Sequence, residues 1–307
     1  MPQQIFQSQY PILEACMNRG STLPLAIAVH RAGAYPSLCS WTYGGNYQML
    51  QRDLDQFVKI TGSNRIQISF EIEGLPSPEI CHRIINSHNV PTVEIIYGQS
   101  SSTVLSPEKL DQHILDTVGP LHQQGVKIFK RSIEPVSAEE TTRYHIDGFC
   151  VKGTEAGGYT SNTMTVLELF RAQQKLTPAA YLIPYGGIGT AAQVRQYIDL
   201  GAEMVGVGTV FALSAEGLVK DATKLAAIKA SKNDLSEFTF NDRPGKQNAL
   251  KFDAYDEPDD SNHTAGLKKA LFDKKSTQGH IFTGYAIEHV NEILPCQQIV
   301  QNLIADL

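Results

Sequence analysis

Residues 181–211 read "YLIPYGGIGTAAQVRQYIDLGAEMVGVGTVF". Two short apolar runs, 181–183 and 204–207, each lead into a glycine-bearing turn, and one amphipathic stretch lies between them. Thr190 stands where a helix N-cap belongs, Val194, Tyr197 and Ile198 recur at helical spacing, and Gly201 supplies a stop. The pattern is a strand, a helix and a second strand, and a crossover of that length brings the second strand back parallel to the first.

The same rhythm continues toward the N-terminus. Further apolar runs at 12–16, 34–38, 66–70, 92–96, 127–129 and 148–151 bring the predicted strands to eight. Asn162 or Thr163 is predicted to open another helix, with Val166, Leu169 and Phe170 on one face. Eight strands with intervening helices in roughly 210 residues predict an α/β fold of the (β/α)8, or TIM, barrel type rather than a doubly wound sheet. After Phe211 the pattern changes. Residues 214–282 read as a small helical second domain, with a helix over 218–230 and a solvated acidic loop, "DAYDEPDDSNH", at 253–263. Residues 283–307 read as a terminal helix broken at Pro295 that packs back on the barrel of residues 1–213.

Composition removes several function classes. A net charge of -6 and no Lys/Arg-rich run give no attraction to phosphate polyanions, so nucleic acid is not an expected partner. No segment approaches the roughly 18 apolar residues of a membrane span, and "MPQQIFQSQYP" lacks a signal-peptide pattern, so a cytoplasmic location is expected. Five scattered cysteines form no C-x-x-C and nine histidines no ligand spacing, so neither a disulfide framework nor a metal is expected.

In such barrels phosphate often sits at the loops after strands seven and eight. Those loops hold "PYGGIGT" at 184–190 and "GVGTVF" at 206–211. Gly186 and Gly187 let backbone approach an anion, a following helix points its N–H groups at it, and Gly208 and Thr209 add an amide and a hydroxyl. Beside them, after strand six, comes "KGTEAGGYTS" at 152–161. Gly153, Gly157 and Gly158 would let a flat ring lie against main chain, and Lys152 either places positive charge near a heterocycle or snorkels to solvent. Glu155 is expected to fix the turn by accepting from backbone N–H groups.

Together, "ILEACMNRGS", "VKGTEAGGYTS", "IPYGGIGTAAQV", "GAEMVGVGTVF" and "NEILPCQQIVQNLI" resemble the nitronate monooxygenase family, and the related FMN-dependent enoyl reductases share much of the pattern. The resemblance implies noncovalent FMN. It places Ala15, Cys16 and Met17 against the flavin ring, where the family has Ala-Pro-Met, and Lys152 where the family commonly has Gln. It also places Gly157 and Gly158 at the flavin edge, and Gly186, Gly187, Gly208 and Thr209 at the phosphate. Three departures fall at the expected substrate face. Tyr159 stands where the family's catalytic His follows E-A-G-G, Ser69 where Asn is often found, and Tyr35 and Pro36 where the turn after strand two has small residues.

The resemblance implies oxidation of a nitronate, or of a nitroalkane whose α-proton the His removes, to a carbonyl compound and nitrite. An ordinary tyrosine near pKa 10 is ionised to roughly one part in a thousand at neutral pH, so Tyr159 is a poor base but a competent hydrogen-bond donor to a developing oxyanion. The main expectation is an FMN-dependent oxidoreductase that uses a small-molecule substrate with O2, with Tyr159 as the catalytic replacement. Three alternatives stay open: an enoyl-thioester reductase driven by NAD(P)H, a flavin-binding paralogue without catalysis, and a flavin-free phosphate-binding isomerase. A homodimer is compatible with all of them.

Overall fold

The computed structural model describes residues 5–98, 105–239, 245–252 and 279–307. Its main body is a barrel of parallel strands: β1 (Ile12–Glu14), β2 (Ser37–Cys39), β3 (Gln67–Glu71), β4 (Thr92–Ile96), β5 (Lys127–Ser132) and β6 (Gly148–Lys152). After a short strand outside the barrel, β7 (Gly158–Thr160), it is completed by β8 (Tyr181–Tyr185) and β9 (Val205–Val207). The strand order is β1-β9-β8-β6-β5-β4-β3-β2. A single bridge between Leu13 and Tyr35 closes the ring between β1 and β2. All eight runs read as strands from the sequence are barrel strands, with ends displaced by up to a few residues.

These runs are apolar because each strand is covered on both faces. The outward side chains of β3 and β4 pack under helices Tyr47–Thr61, Pro78–Ser87 and Pro107–Gln123 in a cluster that includes Ile68, Phe70, Val93 and Ile95. The inward side chains fill the barrel: Leu13, Tyr35, Phe129, Cys150, Ile183, Tyr185 and Met204, with Phe6 closing the amino end against Tyr35 and Phe129. The interior is a packed core, so a ligand of this barrel would sit beyond the carboxyl ends of the strands, not inside it.

Two helix starts follow capping rules. Thr190 caps Ala191–Asp199 through a capping box with Gln193, as the sequence predicts. The preceding helix opens later than Asn162 or Thr163: Thr165 is the cap, boxed with Glu168, and the helix runs Val166–Leu176. Ser161 is spent instead on the turn, its hydroxyl accepting from the N–H of Thr163 and of Met164.

Two expectations need correction. Tyr35 and Pro36 precede β2 rather than follow it. Tyr35 is fully buried at the amino end of the barrel, hydrogen-bonded to Thr92 Oγ1 at 2.9 Å, on the side away from the strand carboxyl ends. The segment read as helical over 214–282 contains, among the described residues, one α-helix, Asp221–Ala227, and then antiparallel strands β10 (Leu235–Thr239), β11 (Lys246–Phe252) and β12 (Gly279–Phe282). β11 also pairs with β7, so the glycine-rich turn after β6 contributes the fourth strand of this sheet. Backbone pairing to that turn, which no side-chain periodicity announces, selects strand over helix. The acidic stretch 253–263 lies outside the described residues. The C-terminal helix, Cys296–Leu303, starts after Pro295 and buries Ile299, Val300 and Leu303 in one cluster with Leu25 and Val29 of helix Leu23–Arg31.

Candidate active site at the carboxyl end of the barrel

Strand alternation sets the floor of the site. Two residues beyond the inward-facing Phe129, Arg131 also points into the barrel, and Glu94 meets it from β4. Arg131 Nε donates to Glu94 Oε1 at 3.0 Å, and its Nη2 donates to Glu94 Oε2 at 2.6 Å. Glu94 is 0% and Arg131 3% exposed, so both charges are withdrawn from water and persist because they are paired. The pairing holds the Arg131 guanidinium well above its ordinary range, against the opposing effect of burial. The same Nη2 donates to the Cys16 carbonyl at 3.1 Å, which ties the floor to the loop after β1.

Around this pair stand several residues singled out from the sequence. Cys16 is buried, and its thiol donates to the Leu38 carbonyl of β2 at 3.7 Å. A Cβ at Gly208 would lie 3.7 Å from Ala15 Cβ and 3.6 Å from Met17 Sδ, so the loops after β1 and β9 meet. Ser69 is fully buried on β3, and its hydroxyl has no partner among the described residues. Lys152 ends β6 in register with Tyr185. Its amine lies 3.8 Å from where a Gly158 Cβ would stand. Burial and the Arg131 charge pull it down to about 7, opposed by Glu94 and Cys39.

The glycine turn itself is closed by residues outside it. Glu155 accepts from Val166 N–H at 2.9 Å, as the sequence predicts. Asn248 of β11, fully buried, donates to the Thr154 and Ala156 carbonyls at 2.7 and 2.8 Å. Gly284 packs so tightly on the turn that a Cβ there would lie 2.4 Å from the Glu155 carbonyl, and Gly157 meets it from the other side. Gly284 N–H also donates to Thr209 Oγ1 at 3.0 Å, which draws the C-terminal segment across the loop after β9. Gly187, at φ 67, takes the left-handed turn that carries the chain from β8 toward helix Ala191–Asp199. A Cβ at Gly186 would lie 3.1 Å from Ala156 N, so the loops after β6 and β8 are also in contact.

The structure therefore gathers Ala15, Cys16, Met17, Ser69, Lys152, Gly158, Gly208 and Thr209 at one end of the barrel, with Gly157, Gly186 and Gly187 on the adjoining loops. Tyr159 is turned differently. Gly158 faces Lys152 and Thr160 donates to the Gly153 carbonyl, so alternation sends the intervening Tyr159 to the other face of the small sheet. There its ring packs by Ile133 and Gly245. Sequence reading missed Glu94, Arg131 and Asn248. The signal for the first two was parity, since each stands two residues beyond an inward-facing residue of its strand, Thr92 or Phe129. Nothing local marked Asn248.

These residues fit a flavin mononucleotide. The Ser69 hydroxyl, buried and without a partner among the described residues, would offer a hydrogen bond to a polar ring edge, the Arg131 guanidinium would supply positive charge to a reduced ring, and glycine loops precede helix Ala191–Asp199.

Known structures share the whole architecture. FabK from Thermotoga maritima superposes with a TM-score of 0.79 at 19% identity, covering 99% of this chain and 94% of that one. Nitroalkane oxidase from Streptomyces ansochromogenes gives 0.72 at 19% identity, covering 99% and 97%. The enoyl reductase domain of MlnA from the macrolactin cluster of Bacillus amyloliquefaciens gives 0.69 at 12%, covering 98% and 94%. At these identities the likeness is one of fold. No curated protein matches the sequence. The nitronate monooxygenase family model matches residues 121–306, well over half of the 307, from the helix before β5 through every glycine loop of the site to the C-terminal helix. The chain belongs to the nitronate monooxygenase family and is an FMN-dependent oxidoreductase.

Proposed function

We propose that this oxidoreductase consumes an alkyl nitronate or a similarly small carbanionic substrate, with O2 as the electron acceptor. The observation that carries the reading is the floor of the site, where the Arg131 guanidinium is paired with Glu94 and a second basic side chain, Lys152, stands close enough to feel both charges with no ion pair of its own among the described residues. Such a floor favours an anionic substrate and excludes a cationic one.

In this reading Gly186, Gly187, Gly208 and Thr209 would hold the FMN phosphate. Ala15, Cys16, Met17, Ser69, Lys152, Gly157 and Gly158 would line the ring system. When bound, the flavin supplies the electron acceptor for the substrate and the route from substrate to O2. Arg131 holds the Cys16 carbonyl, and with it the loop after β1, and would orient the anion by charge. Tyr159, at the position of the family's His, packs by Ile133, two residues beyond Arg131, and from that side of the rim would donate a hydrogen bond to an oxyanion. The division into a barrel of residues 1–213, a covering segment 214–282 and a returning segment 283–307 belongs to the same reading.

The test is oxygen uptake by the purified holoprotein supplied with ethylnitronate. The reading predicts consumption of O2 accompanied by nitrite and acetaldehyde. Uptake no faster than in the protein-free control contradicts it.

A further inference from the structure

We propose that Lys152 is the proton acceptor of this site, its side-chain amine taking the α-proton from a neutral nitroalkane, a task that Tyr159 performs poorly. The proposal rests on the nitronate reading above and extends it from preformed nitronates to their conjugate acids. In the step, the C–H bond breaks, an N–H bond forms on Lys152 Nζ, and the electron pair passes into the nitro group. A neutral acid and a neutral amine become a nitronate and an ammonium ion, so charge balances and no oxidant is needed.

Three observations carry it. First, Lys152 has neither of the ordinary environments of a lysine. A surface lysine extends to water and a structural buried one is paired. Lys152 is partly buried at the strand end, and among the described residues no hydrogen bond or ion pair holds its amine. Glu94, the nearby carboxylate, is already engaged through both oxygens by Arg131. Second, the amine is aimed correctly. Two residues beyond the inward-facing Cys150, it enters the barrel end from β6 and lies 3.8 Å from where a Gly158 Cβ would stand, whereas Tyr159 projects from the opposite face of the small sheet and reaches only the rim beside Ile133. Third, its protonation suits the task. From β5 the Arg131 charge disfavours the ammonium form, from β4 and β2 Glu94 and Cys39 favour it, and burial outweighs each of these. Tyr185 on β8, in register with Lys152, is held well above its ordinary range and stays neutral. Gly158 and Phe282, from the small sheet, bring no charge. The result, about 7, leaves roughly half of the amine free at neutral pH, where an ordinary lysine near 10.4 would be free to less than about one part in a thousand. A base titrating near the working pH is the efficient choice. Once protonated, Lys152 stands as counter-ion to the nitronate it has made.

The experiment is α-hydrogen exchange of nitroethane in D2O under nitrogen, followed by proton NMR with the FMN-loaded protein. It reads C–H cleavage without oxidation. The wild type is expected to accelerate exchange, with a rate that rises through pH 7. Lys152→Gln and Lys152→Met should each lose at least about 100-fold and the pH step with it. With preformed ethylnitronate the same variants should show the smaller loss, expressed mainly in KM. Wild-type exchange that is absent, or flat between pH 6 and 8, overturns the proposal whatever the variants do. So does either variant exchanging at the wild-type rate. Failure of the nitronate reading is seen separately, as no oxygen uptake by the wild type on preformed ethylnitronate.

Discussion

Replacing Glu94 by Leu removes one half of the buried ion pair and leaves a guanidinium that is 3% exposed without its counter-charge. Two charge-assisted hydrogen bonds, at 3.0 and 2.6 Å, disappear, and the single bond to the Cys16 carbonyl cannot compensate them. Breaking a buried pair from one side costs about 3–5 kcal/mol. A typical total stability is about 5–15 kcal/mol, so the variant should lose a fifth or more of it. The double variant Glu94→Leu/Arg131→Met leaves no charge uncompensated, and a pair replaced by apolar side chains is often neutral in stability. It should therefore recover most of the loss, about 2–4 kcal/mol relative to Glu94→Leu alone. Urea unfolding measures this directly. Trp41, the single tryptophan, has its ring 5.8 Å from the guanidinium carbon and reports on this corner of the barrel by fluorescence, while circular dichroism reports on the whole. If Glu94→Leu unfolds within about 1 kcal/mol of wild type, or the double variant is no better than the single one, the pair is not the buried, mutually dependent unit described here.

Two further perturbations address other parts of the structure. Gly206→Ala puts a Cβ 2.0 Å from the Tyr185 ring inside a packed barrel, so a loss of about 1–3 kcal/mol or more is expected in the same urea assay, and wild-type stability would show that the barrel is not packed there. Glu14 is fully buried, accepts from Ser37 N–H at 3.1 Å, and is pushed by burial from 4.5 to about 8. The folded state keeps a proton that the unfolded state gives up, so this contribution is fully present below about pH 4.5 and is lost as pH rises to about 8, at up to about 1.4 kcal/mol per unit. Glu14→Gln keeps the acceptor and cannot ionise. Its Tm should fall less than that of the wild type between pH 5 and 8, and parallel Tm curves would contradict the argument.

The barrel was legible because its strands are covered on both faces, which gives each the same short apolar run whatever its neighbours. That uniformity also caused the misplacement of Tyr35. A strand buried on both sides carries no alternation to show which end points at the ligand, and an aromatic filling the amino end looks the same as one lining the mouth. The small sheet was hidden for a different reason. Its edge β7 is three residues inside a glycine turn, and its partner β11 lies about ninety residues further on, a pairing that only the folded chain brings about. The glycine loops were legible because close backbone approach demands glycine. Arg131 and Glu94 were not legible, Arg131 lying beyond the run 127–129, because what makes them a site is that two separate strands point them at each other. Lys152 was visible as a strand-end lysine, but its lack of a partner and its depressed basicity depend on Arg131 and on the packing of the turn under β11.

The central claim, that this barrel carries a flavin acting on a carbanionic substrate, is tested most directly by the visible absorption of the purified protein before and after anaerobic ethylnitronate, and then on admission of air. The account predicts flavin bands that bleach with the nitronate and return with oxygen. Bands that ignore the nitronate and bleach with NADPH instead would contradict it and assign the site to a reductase.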